Sequence, residues 1–293
     1  MEISFILLVR AIFLLILGQC VFSAEVPALI LFGDSTIDVG NNNHLLTLAK
    51  SNHPPYGRDF PGKRITGRFS NGLVATDYVA SMLGLGSATV GYLNPEAKGD
   101  NIVRGVSFAS AASGFYRGTA KIYNVLSLED QLKLYIQYRE DLARVELRFL
   151  GVRRVGVLSL PPFGCLPSQI TLYGLGKETC VKNLNKEAQI FNSKMLKLLQ
   201  KLNGTDGMRL AYVDIFSQLK DAARFPAKYG FVEGRRGCCG TGLVEASIFC
   251  NKFSIGTCAN ASKYVFWDSF HPSDRMSFLL AKTQLPKVLH DLL

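Results

Sequence analysis

Four short, largely apolar runs predict β-strands, the first and the third of them buried. They are residues 26–32, 105–109, 155–160 and 208–215. An apolar run without alternating polar positions is typical of a parallel strand that is covered on both faces. The first run ends in Gly33-Asp34-Ser35. We therefore expect Ser35 at the carboxyl edge of a parallel sheet, where the active groups of open α/β sheets gather.

Segments with a helical spacing of apolar residues lie between and after these runs. They predict helices over residues 74–83, 127–150, 184–202 and 273–289. Strands that alternate with helices favour an α/β fold with a parallel sheet covered by helices. The chain has 293 residues, of which 48% are hydrophobic, and no repeat or linker divides it. These observations predict a single domain around one core.

The predicted helix over residues 127–150 has an irregular second half. Ser127 and Asp130 have the spacing of a helix start, in which each side chain can bond the other's backbone N–H. Towards the end of the segment, Val145 and Leu147 fall out of phase with the earlier apolar positions. A join between two originally separate helices would leave this pattern.

The first 23 residues predict a secretory signal. Arg10 interrupts an apolar stretch, and small residues precede the expected cleavage site. A membrane anchor is the alternative, but the uninterrupted apolar run is shorter than the roughly twenty residues that a span requires. No later segment is apolar enough to cross a bilayer. We therefore expect a mature domain over residues 24–293, secreted and without a stable membrane anchor.

Six cysteines remain after removal of the signal, which takes Cys20 with it. They are Cys165, Cys180, Cys238, Cys239, Cys250 and Cys258. An even number in an exported chain predicts disulfides, and six cysteines allow fifteen pairings. The adjacent Cys238 and Cys239 lack the spacing of a zinc site, so no metal is expected. Asn203-Gly-Thr205 and Asn260-Ala-Ser262 are expected glycosylation acceptors in an exported chain.

The formal charge of +10 favours adsorption to polyanions. Lysines and arginines are spread along the chain without a basic run or interleaved aromatic residues, so a nucleic acid is not the expected partner. An acidic cell-wall polysaccharide fits an exported protein better. A solvated basic surface with no partner is the alternative.

Ser35, Asp268 and His271 are the candidate catalytic residues. A serine hydroxyl attacks a carbonyl when a base removes its proton and a third group orients that base. Asp268 and His271 are three residues apart and can make the second contact locally. Alternatively, Ser35 caps a following helix, Asp268 caps the terminal helix, and His271 is merely packed by its aromatic neighbours. The remaining histidines lack such partners and are expected at the surface: His44, His53 and His290.

Six ordered blocks resemble the plant GDSL esterase/lipase family of the SGNH hydrolase superfamily. They are 29–43 (LILFGDSTIDVGNNN), 66–72 (TGRFSNG), 105–114 (GVSFASAASG), 160–167 (LPPFGCLP), 238–242 (CCGTG) and 264–272 (YVFWDSFHP). The resemblance implies a flavodoxin-like, doubly wound parallel sheet. No Gly-x-Ser-x-Gly is present, which counts against an α/β-hydrolase with a nucleophile elbow.

The resemblance also implies an activity and a role for each site residue. Carboxylic esters, of small molecules or lipids, would be hydrolysed through an acyl-Ser35 intermediate, with no cofactor and in the extracellular space or cell wall. His271 would be general base and acid, and Asp268 would orient it. The backbone N–H groups of Ser35 and Gly114 would bind the oxyanion. Gly114 is otherwise an ordinary turn glycine, since Ala111 and Ala112 replace glycines often seen beside it.

One block of the family is absent. Relatives carry Gly-x-Asn-Asp after a central strand, and its Asn side chain is a third oxyanion donor. Here the segments that flank this block follow each other closely, which indicates a deletion near residues 145–146 that removed the strand next to the Ser35 strand. The alternative to an impaired esterase is an inactive, truncated extracellular protein of this type, or a basic cell-wall-binding protein.

Overall fold

The computed structural model describes residues 26–86, 89–145, 153–174 and 180–293. The segment before Ser35 runs parallel to the segment around Ser107, which in turn bridges Gly91 in parallel. The N–H of Leu31 donates to the carbonyl of Val106 at 3.1 Å, and the N–H of Phe108 donates to the carbonyl of Leu31 at 2.8 Å. The first two predicted strands therefore lie parallel to each other, although as isolated bridges and not as regular strands.

Two pairs of regular strands make small parallel sheets. Strand β1 (Arg154–Leu158) pairs with β2 (Arg209–Val213) in register from Arg154 with Arg209 to Leu158 with Val213. Strand β3 (Glu233–Gly237) pairs with β4 (Tyr264–Phe266). The prediction of strands over 155–160 and 208–215 is confirmed within a few residues. The prediction that the strand over 155–160 is buried on both faces is wrong, because alternate residues of β1 are exposed and half-buried.

Seven α-helices occur within the described ranges. They are α1 (Ala75–Met82), α2 (Arg117–Tyr123), α3 (Leu128–Val145), α4 (Pro167–Tyr173), α5 (Lys182–Leu202), α6 (Ile215–Arg224) and α7 (Asp274–Leu292). Four of them, α1, α3, α5 and α7, match the helices expected from apolar spacing.

Local hydrogen bonds explain where two of these helices begin. Ser127 Oγ accepts the N–H of Asp130 at 3.2 Å, and Asp130 Oδ2 accepts the N–H of Ser127 at 3.3 Å, which is the reciprocal pair that the sequence predicts. Ser273 Oγ accepts the N–H of Met276 at 3.3 Å at the start of α7. The expected end of α3 at residue 150 and the deletion expected at 145–146 involve residues beyond the described ranges.

The largest core cluster lies between α6, α7 and β4. It contains Leu219, Phe266, Met276 and Leu280, all nearly or completely buried. A second cluster joins Tyr56, Phe69 and Trp267 to the cysteine-rich segment. This second cluster contains Trp267, which directly precedes Asp268, so the loop of Asp268 and His271 is packed against the core.

Three disulfides select one of the fifteen pairings. They join Cys165 to Cys180, Cys238 to Cys258 and Cys239 to Cys250. The last two close adjacent loops. Disulfides were expected from the even cysteine count.

The α/β class with parallel pairing is confirmed. A single doubly wound sheet is not seen, since the strands of the described ranges form two separate two-stranded sheets beside the bridged segments. The expected signal over residues 1–23 lies outside the described residues. None of the helices that the structure describes has the length and apolar character needed to cross a membrane.

Candidate active site

Ser35 lies in a turn directly after the first apolar run. Asp34 Oδ1 accepts the N–H of Thr36 at 2.9 Å and its hydroxyl at 2.8 Å, and the carbonyl of Asp34 accepts the N–H of Asp38 at 3.0 Å. The turn leads to an isolated bridge at Val39 and then to a short 3-10 helix, Asn41–His44, whose N-cap is Gly40. The alternative that Ser35 caps a helix is therefore wrong.

Ser35, His271 and Asp268 form a continuous chain of contacts. His271 Nε2 is 2.8 Å from Ser35 Oγ, and His271 Nδ1 is 2.8 Å from both carboxylate oxygens of Asp268. Asp268 Oδ1 also accepts the N–H groups of Phe270 and His271, each at 2.8 Å. Asp268 is completely buried and His271 is 7% exposed. Because Ser273 caps α7, Asp268 does not cap the terminal helix.

Tyr56 holds the second oxygen of Asp268. Its hydroxyl donates to Asp268 Oδ2 at 2.7 Å and accepts the N–H of Ser247 at 2.7 Å. Burial, followed by the adjacent Asp268 carboxylate, raises the pKa of Tyr56 well above its ordinary value, so the phenol remains a donor. The sequence carries no signal for this contact, since the two residues are 212 positions apart.

Aromatic rings enclose the imidazole. The ring of Phe69 lies 4.9 Å from that of His271, and the ring of Phe270 lies 6.3 Å away. Phe69 belongs to the block at residues 66–72, to which the sequence assigned no role. Packing of His271 by aromatic neighbours, expected as an alternative to a catalytic contact, therefore occurs together with the contact to Ser35.

The loop that contains Gly114 is tied to the Ser35 turn. The N–H of Ser110 donates to the carbonyl of Gly33 at 3.0 Å, and the N–H of Ala111 donates to Asp38 Oδ2 at 3.0 Å. Within the described part of the chain, the backbone N–H groups of Ser35 and Gly114 donate to no protein acceptor. Both donors are thus available to a ligand.

The space beside Gly114 is not occupied by protein. A methyl group placed on Gly114 would meet only Thr119, at 3.8 Å. The left-handed turn in this loop falls instead at Ala112, whose φ is 64°. Nothing in the protein's own packing therefore demands glycine at position 114.

Gln131 links the Ser35 turn to the loop that contains Gly114, a role that the sequence did not indicate. Its side chain is completely buried at the start of α3. Gln131 Oε1 accepts the N–H of Gly33 at 2.9 Å, and Nε2 donates to the carbonyl of Gly33 at 2.9 Å. Nε2 also donates to Ser113 Oγ at 3.2 Å. The Gln131 amide therefore positions both Gly33, two residues before Ser35, and Ser113, which directly precedes Gly114.

The carboxylate of Asp38 also links the Ser35 turn to the loop that contains Gly114. Oδ1 accepts the N–H groups of Gly40 and Asn41, each at 2.8 Å, while Oδ2 accepts that of Ala111. Complete burial raises the pKa of Asp38 to about 6, and these backbone donors oppose the shift. The side chains of Asn41 and Asn42 donate to carbonyls of the facing segment, at Ser107, Ala109 and Ala111.

The other candidate residues lie apart from this site. His44 and His290 are exposed, as expected, whereas His53 is half-buried against the ring of Tyr56. Asn203 and Asn260, the expected glycosylation acceptors, are both exposed. Across the described ranges, no cluster of three or more His, Cys, Asp or Glu side chains is arranged to hold a metal ion.

Comparison with known proteins identifies the family of the chain. A model of the GDSL-like Lipase/Acylhydrolase family matches residues 123–283, a segment that includes Asp268 and His271. The chain belongs to this family. The GDSL esterase/lipase At5g03810 of Arabidopsis thaliana is 41% identical over 318 residues, which cover 89% of this chain and 90% of the relative. The GDSL esterase/lipase APG of the same plant is 38% identical over 336 residues, covering 95% of each chain.

These alignments are longer than the chain itself. They extend over 318 and 336 positions, whereas the chain has 293 residues. These two relatives therefore contain residues that have no counterpart in this chain.

Proposed function

We propose that this GDSL-family protein hydrolyses carboxylic esters through an acyl-Ser35 intermediate. The observation that carries the proposal is the contact of Ser35 Oγ with His271 Nε2, while the imidazole is held by Asp268 on its other nitrogen. The relatives are named esterase/lipase, and the chain is about 40% identical to them over most of its length. Ester hydrolysis is therefore the reaction that both the family and the geometry favour.

The contacts define a role for each group in acylation. Ser35 Oγ attacks the ester carbonyl carbon while His271 Nε2 takes the hydroxyl proton. Asp268 fixes the imidazole with its Nδ1–H towards the carboxylate and stabilises the imidazolium that forms. The carbonyl oxygen becomes an oxyanion that the backbone N–H groups of Ser35 and Gly114 bind. His271 then returns the proton to the departing alcohol as the carbon–oxygen bond breaks.

Deacylation repeats these steps with water. His271 takes a proton from a water molecule whose oxygen attacks the acyl carbon, and the oxyanion again faces the two N–H groups. Collapse of this intermediate releases the carboxylic acid and returns the proton to Ser35 Oγ. Neither half of the reaction needs a cofactor.

We propose that turnover is lower than in relatives that retain the Gly-x-Asn-Asp block. No such motif occurs in the sequence, so the Asn donor of the family's oxyanion hole is absent. Loss of one such donor typically costs about 2.7 to 4 kcal/mol, or a factor of about 10² to 10³ in kcat. The two remaining donors would support a slower reaction of the same type.

The proposed architecture is the doubly wound sheet of the SGNH hydrolases without one central strand. The deletion would lie near residues 145–146, between α3 and β1. Two observations support it. The relatives carry residues that this chain lacks, and the Leu31 segment makes an isolated bridge to Ser107 while β1 pairs with β2.

We also propose that the mature domain, residues 24–293, works outside the cell. Three disulfides support this location, because disulfides persist in oxidising compartments. The apolar first 23 residues, read as a secretory signal, support it independently.

The test is hydrolysis of p-nitrophenyl acetate by the chain from Ala24 onwards, secreted from a eukaryotic host and purified as a monomer. Replacing the nucleophile, Ser35→Ala, should lower kcat by at least about 10³-fold. The matched control is Ser193→Ala, an exposed serine on α5, which should retain full activity.

A fluorophosphonate probe gives a second readout that does not depend on turnover. It should label the wild-type protein once, at Ser35, and leave the Ser35→Ala variant unlabelled. Equal hydrolysis and no labelling in a well-folded pair would reject the proposal and leave a non-catalytic member of the family.

A further inference from the structure

We propose that three neighbouring loop segments form a face that adsorbs reversibly to an anionic lipid surface. The segments are residues 46–48, 122–123 and 248–255, and we call them the apolar face. The four most exposed large apolar side chains in the described part of the chain all belong to it, at 78% to 89%: Leu46, Ile122, Phe253 and Ile255. Exposed apolar surface gathered in one place marks protein or membrane interaction sites, whereas scattered apolar residues are ordinary.

Hydrogen bonds hold the three segments side by side. Thr47 Oγ1 donates to the carbonyl of Tyr123 at 2.6 Å, which joins the first segment to the second. Ser247 Oγ donates to the carbonyl of Leu48 at 2.9 Å, which joins the first segment to the third. The exposed apolar side chains of all three segments therefore lie on one part of the protein surface.

The third segment is itself held in a fixed shape. Ser254 Oγ donates to the carbonyl of Phe249 at 3.0 Å and accepts the N–H of Asn251 at 2.9 Å. The disulfide between Cys239 and Cys250 anchors the loop to the neighbouring segment. A fixed loop loses less conformational freedom on binding than a mobile one, so more of the gain from apolar burial is retained.

The charge carried by these loops is positive. No Asp or Glu occurs in the stretches that contain the three segments: residues 44–55, 117–124 and 246–258. Lys121 and Lys252 are exposed, and neither forms an ion pair with a residue that the structure describes. Lys252 Nζ lies 4.9 Å from the centre of the Phe253 ring, so a cation and an apolar ring project from the same place. Each lysine near an anionic lipid surface strengthens binding by about fivefold.

Apolar side chains beside unpaired cations favour a lipid surface over two other partners. A second copy that met this face symmetrically would bring lysines against lysines. An acidic polysaccharide would pair with the lysines but has no apolar interior for the leucine, isoleucine and phenylalanine side chains. An anionic lipid surface supplies both, because apolar side chains enter the acyl region while lysines remain among the headgroups.

Ser247 also connects the apolar face to the candidate site. Its N–H donates to the hydroxyl of Tyr56, which donates to Asp268 Oδ2, each at 2.7 Å. A protein adsorbed through this face would therefore carry its candidate site close to the lipid surface.

Flotation with lipid vesicles tests the apolar part of the face. The vesicles contain ether-linked phosphatidylcholine with about one third ether-linked phosphatidylglycerol, so that they hold no ester bond to hydrolyse. The chain from Ala24 onwards should float with them. Leu48→Ser/Phe249→Ser should weaken the binding at least about tenfold, because two large apolar side chains no longer leave water. The matched control, Leu198→Ser/Val232→Ser, replaces two exposed apolar residues outside the face and should bind like the wild type. Equal binding by the two double variants would overturn the proposal.

Replacing the two lysines tests the electrostatic part. Lys121→Gln/Lys252→Gln should bind these vesicles at least about tenfold more weakly than the wild type. On vesicles of ether-linked phosphatidylcholine alone, the two proteins should bind equally. The control Lys197→Gln/Lys201→Gln lowers the net charge by the same amount from exposed positions on α5, and its binding should change less than about twofold. Equal losses in the two lysine variants would show a response to net charge alone and would overturn the proposal.

Insertion gives a readout that a loss of fold does not imitate. The single tryptophan of the chain, Trp267, is completely buried and contributes a constant emission. In Phe249→Trp, the added tryptophan should shift its emission to the blue with the vesicles and should be quenched by brominated lipid. Leu198→Trp should show neither effect. An unshifted, unquenched emission from folded Phe249→Trp would contradict the proposal.

Vesicle binding is independent of the proposed function, because Ser35→Ala should bind as well as the wild type. Vesicle binding without esterase activity would reject the proposed function and support the apolar face. Esterase activity without vesicle binding would reject the apolar face alone.

Gel filtration and a polyanion column identify the other two partners. A dimer that Leu48→Ser/Phe249→Ser dissociates would show that a second copy covers the face, and would overturn the proposal. Retention on polygalacturonate without any binding to vesicles would assign the lysines to an acidic polysaccharide, with the same consequence. The expected result is a monomer that binds the anionic vesicles.

Discussion

Gln131 forms two hydrogen bonds with Gly33, whose carbonyl also accepts the N–H of Ser110. Its amide meets both the N–H and the carbonyl of Gly33, two residues before Ser35, and reaches Ser113 beside Gly114. A neutral hydrogen bond contributes about 1 kcal/mol, but a buried partner that is left unmade costs about 1 to 3 kcal/mol. Removing the Gln131 amide should therefore cost more free energy than the hydrogen bonds themselves contribute, because Gly33 would be left with an unpaired, partly buried N–H. The Ser35 turn would then lose part of its fixed position.

The substitution Gln131→Leu keeps the volume of the side chain and removes its hydrogen bonds. We expect kcat for p-nitrophenyl acetate to fall about tenfold with little change in KM, because the nucleophile and the oxyanion donors lose their fixed separation. The exposed Gln137 on the same helix supplies the control, Gln137→Leu, which should be unaffected.

The conservative variant Gln131→Glu retains an acceptor for the N–H of Gly33 and should recover part of kcat. A drop in thermal stability with kcat unchanged in Gln131→Leu and Gln131→Glu would assign Gln131 a purely structural role.

At the scale of elements, a buried ion pair fastens the loop before α1 to the start of that helix. Arg68 Nε and Nη2 contact Asp77 Oδ2 and Oδ1 at 2.7 and 2.8 Å, with both side chains at most 4% exposed. Asp77 Oδ2 also accepts the N–H of Val74 at the beginning of α1. The loop carries Phe69, whose ring covers His271, so the ion pair supports the site from a distance.

Arg68→Met should lower the free energy of unfolding by about 3 to 5 kcal/mol, because the Asp77 carboxylate would remain buried without its partner. Urea unfolding followed by circular dichroism measures the loss. The comparison is Lys133→Met, which breaks an exposed pair with Asp130 and should cost no more than about 1 kcal/mol. Equal losses in the two variants would contradict this account.

At the scale of the whole molecule, two disulfides cross-link the cysteine-rich segment that packs beside the loop of Asp268. Cys238–Cys258 and Cys239–Cys250 close adjacent loops, with sequence separations of 20 and 11 residues. The N–H of Cys239 donates to the carbonyl of Trp267 at 2.8 Å, immediately before Asp268. The same cysteines belong to the buried cluster that includes Tyr56, Phe69 and Trp267.

The double variant Cys239→Ser/Cys250→Ser should lose about 3 kcal/mol of stability and also lower kcat, since its loop holds the backbone beside the triad. The pair Cys165→Ser/Cys180→Ser, with a separation of 15 residues, should lose a similar amount of stability with a smaller effect on kcat. Calorimetry and esterase assays measure the two effects. A melting temperature that is the same with and without reductant would contradict the prediction.

Features that depend on neighbours in the chain were predictable from the sequence. The capping pair of Ser127 and Asp130 follows from side chains that reach backbone groups three residues away. The strand β3, Glu-Gly-Arg-Arg-Gly, was missed because it has neither an apolar run nor alternation. The half-exposed β1 was expected to be buried, since periodicity reports the local conformation of a strand and not what covers its faces.

The sequence by itself determined the nucleophile turn, the spacing of Asp268 and His271, the main helices and the family resemblance, because each depends on short-range order along the chain. Only the tertiary structure decided that Tyr56 bonds Asp268, that Gln131 bonds Gly33, and which of the fifteen disulfide pairings forms. It also decided that the segments 46–48, 122–123 and 248–255 lie side by side as one apolar face. These contacts join residues that are far apart in the chain, and their partners are selected by the packing of whole elements, which no local pattern records.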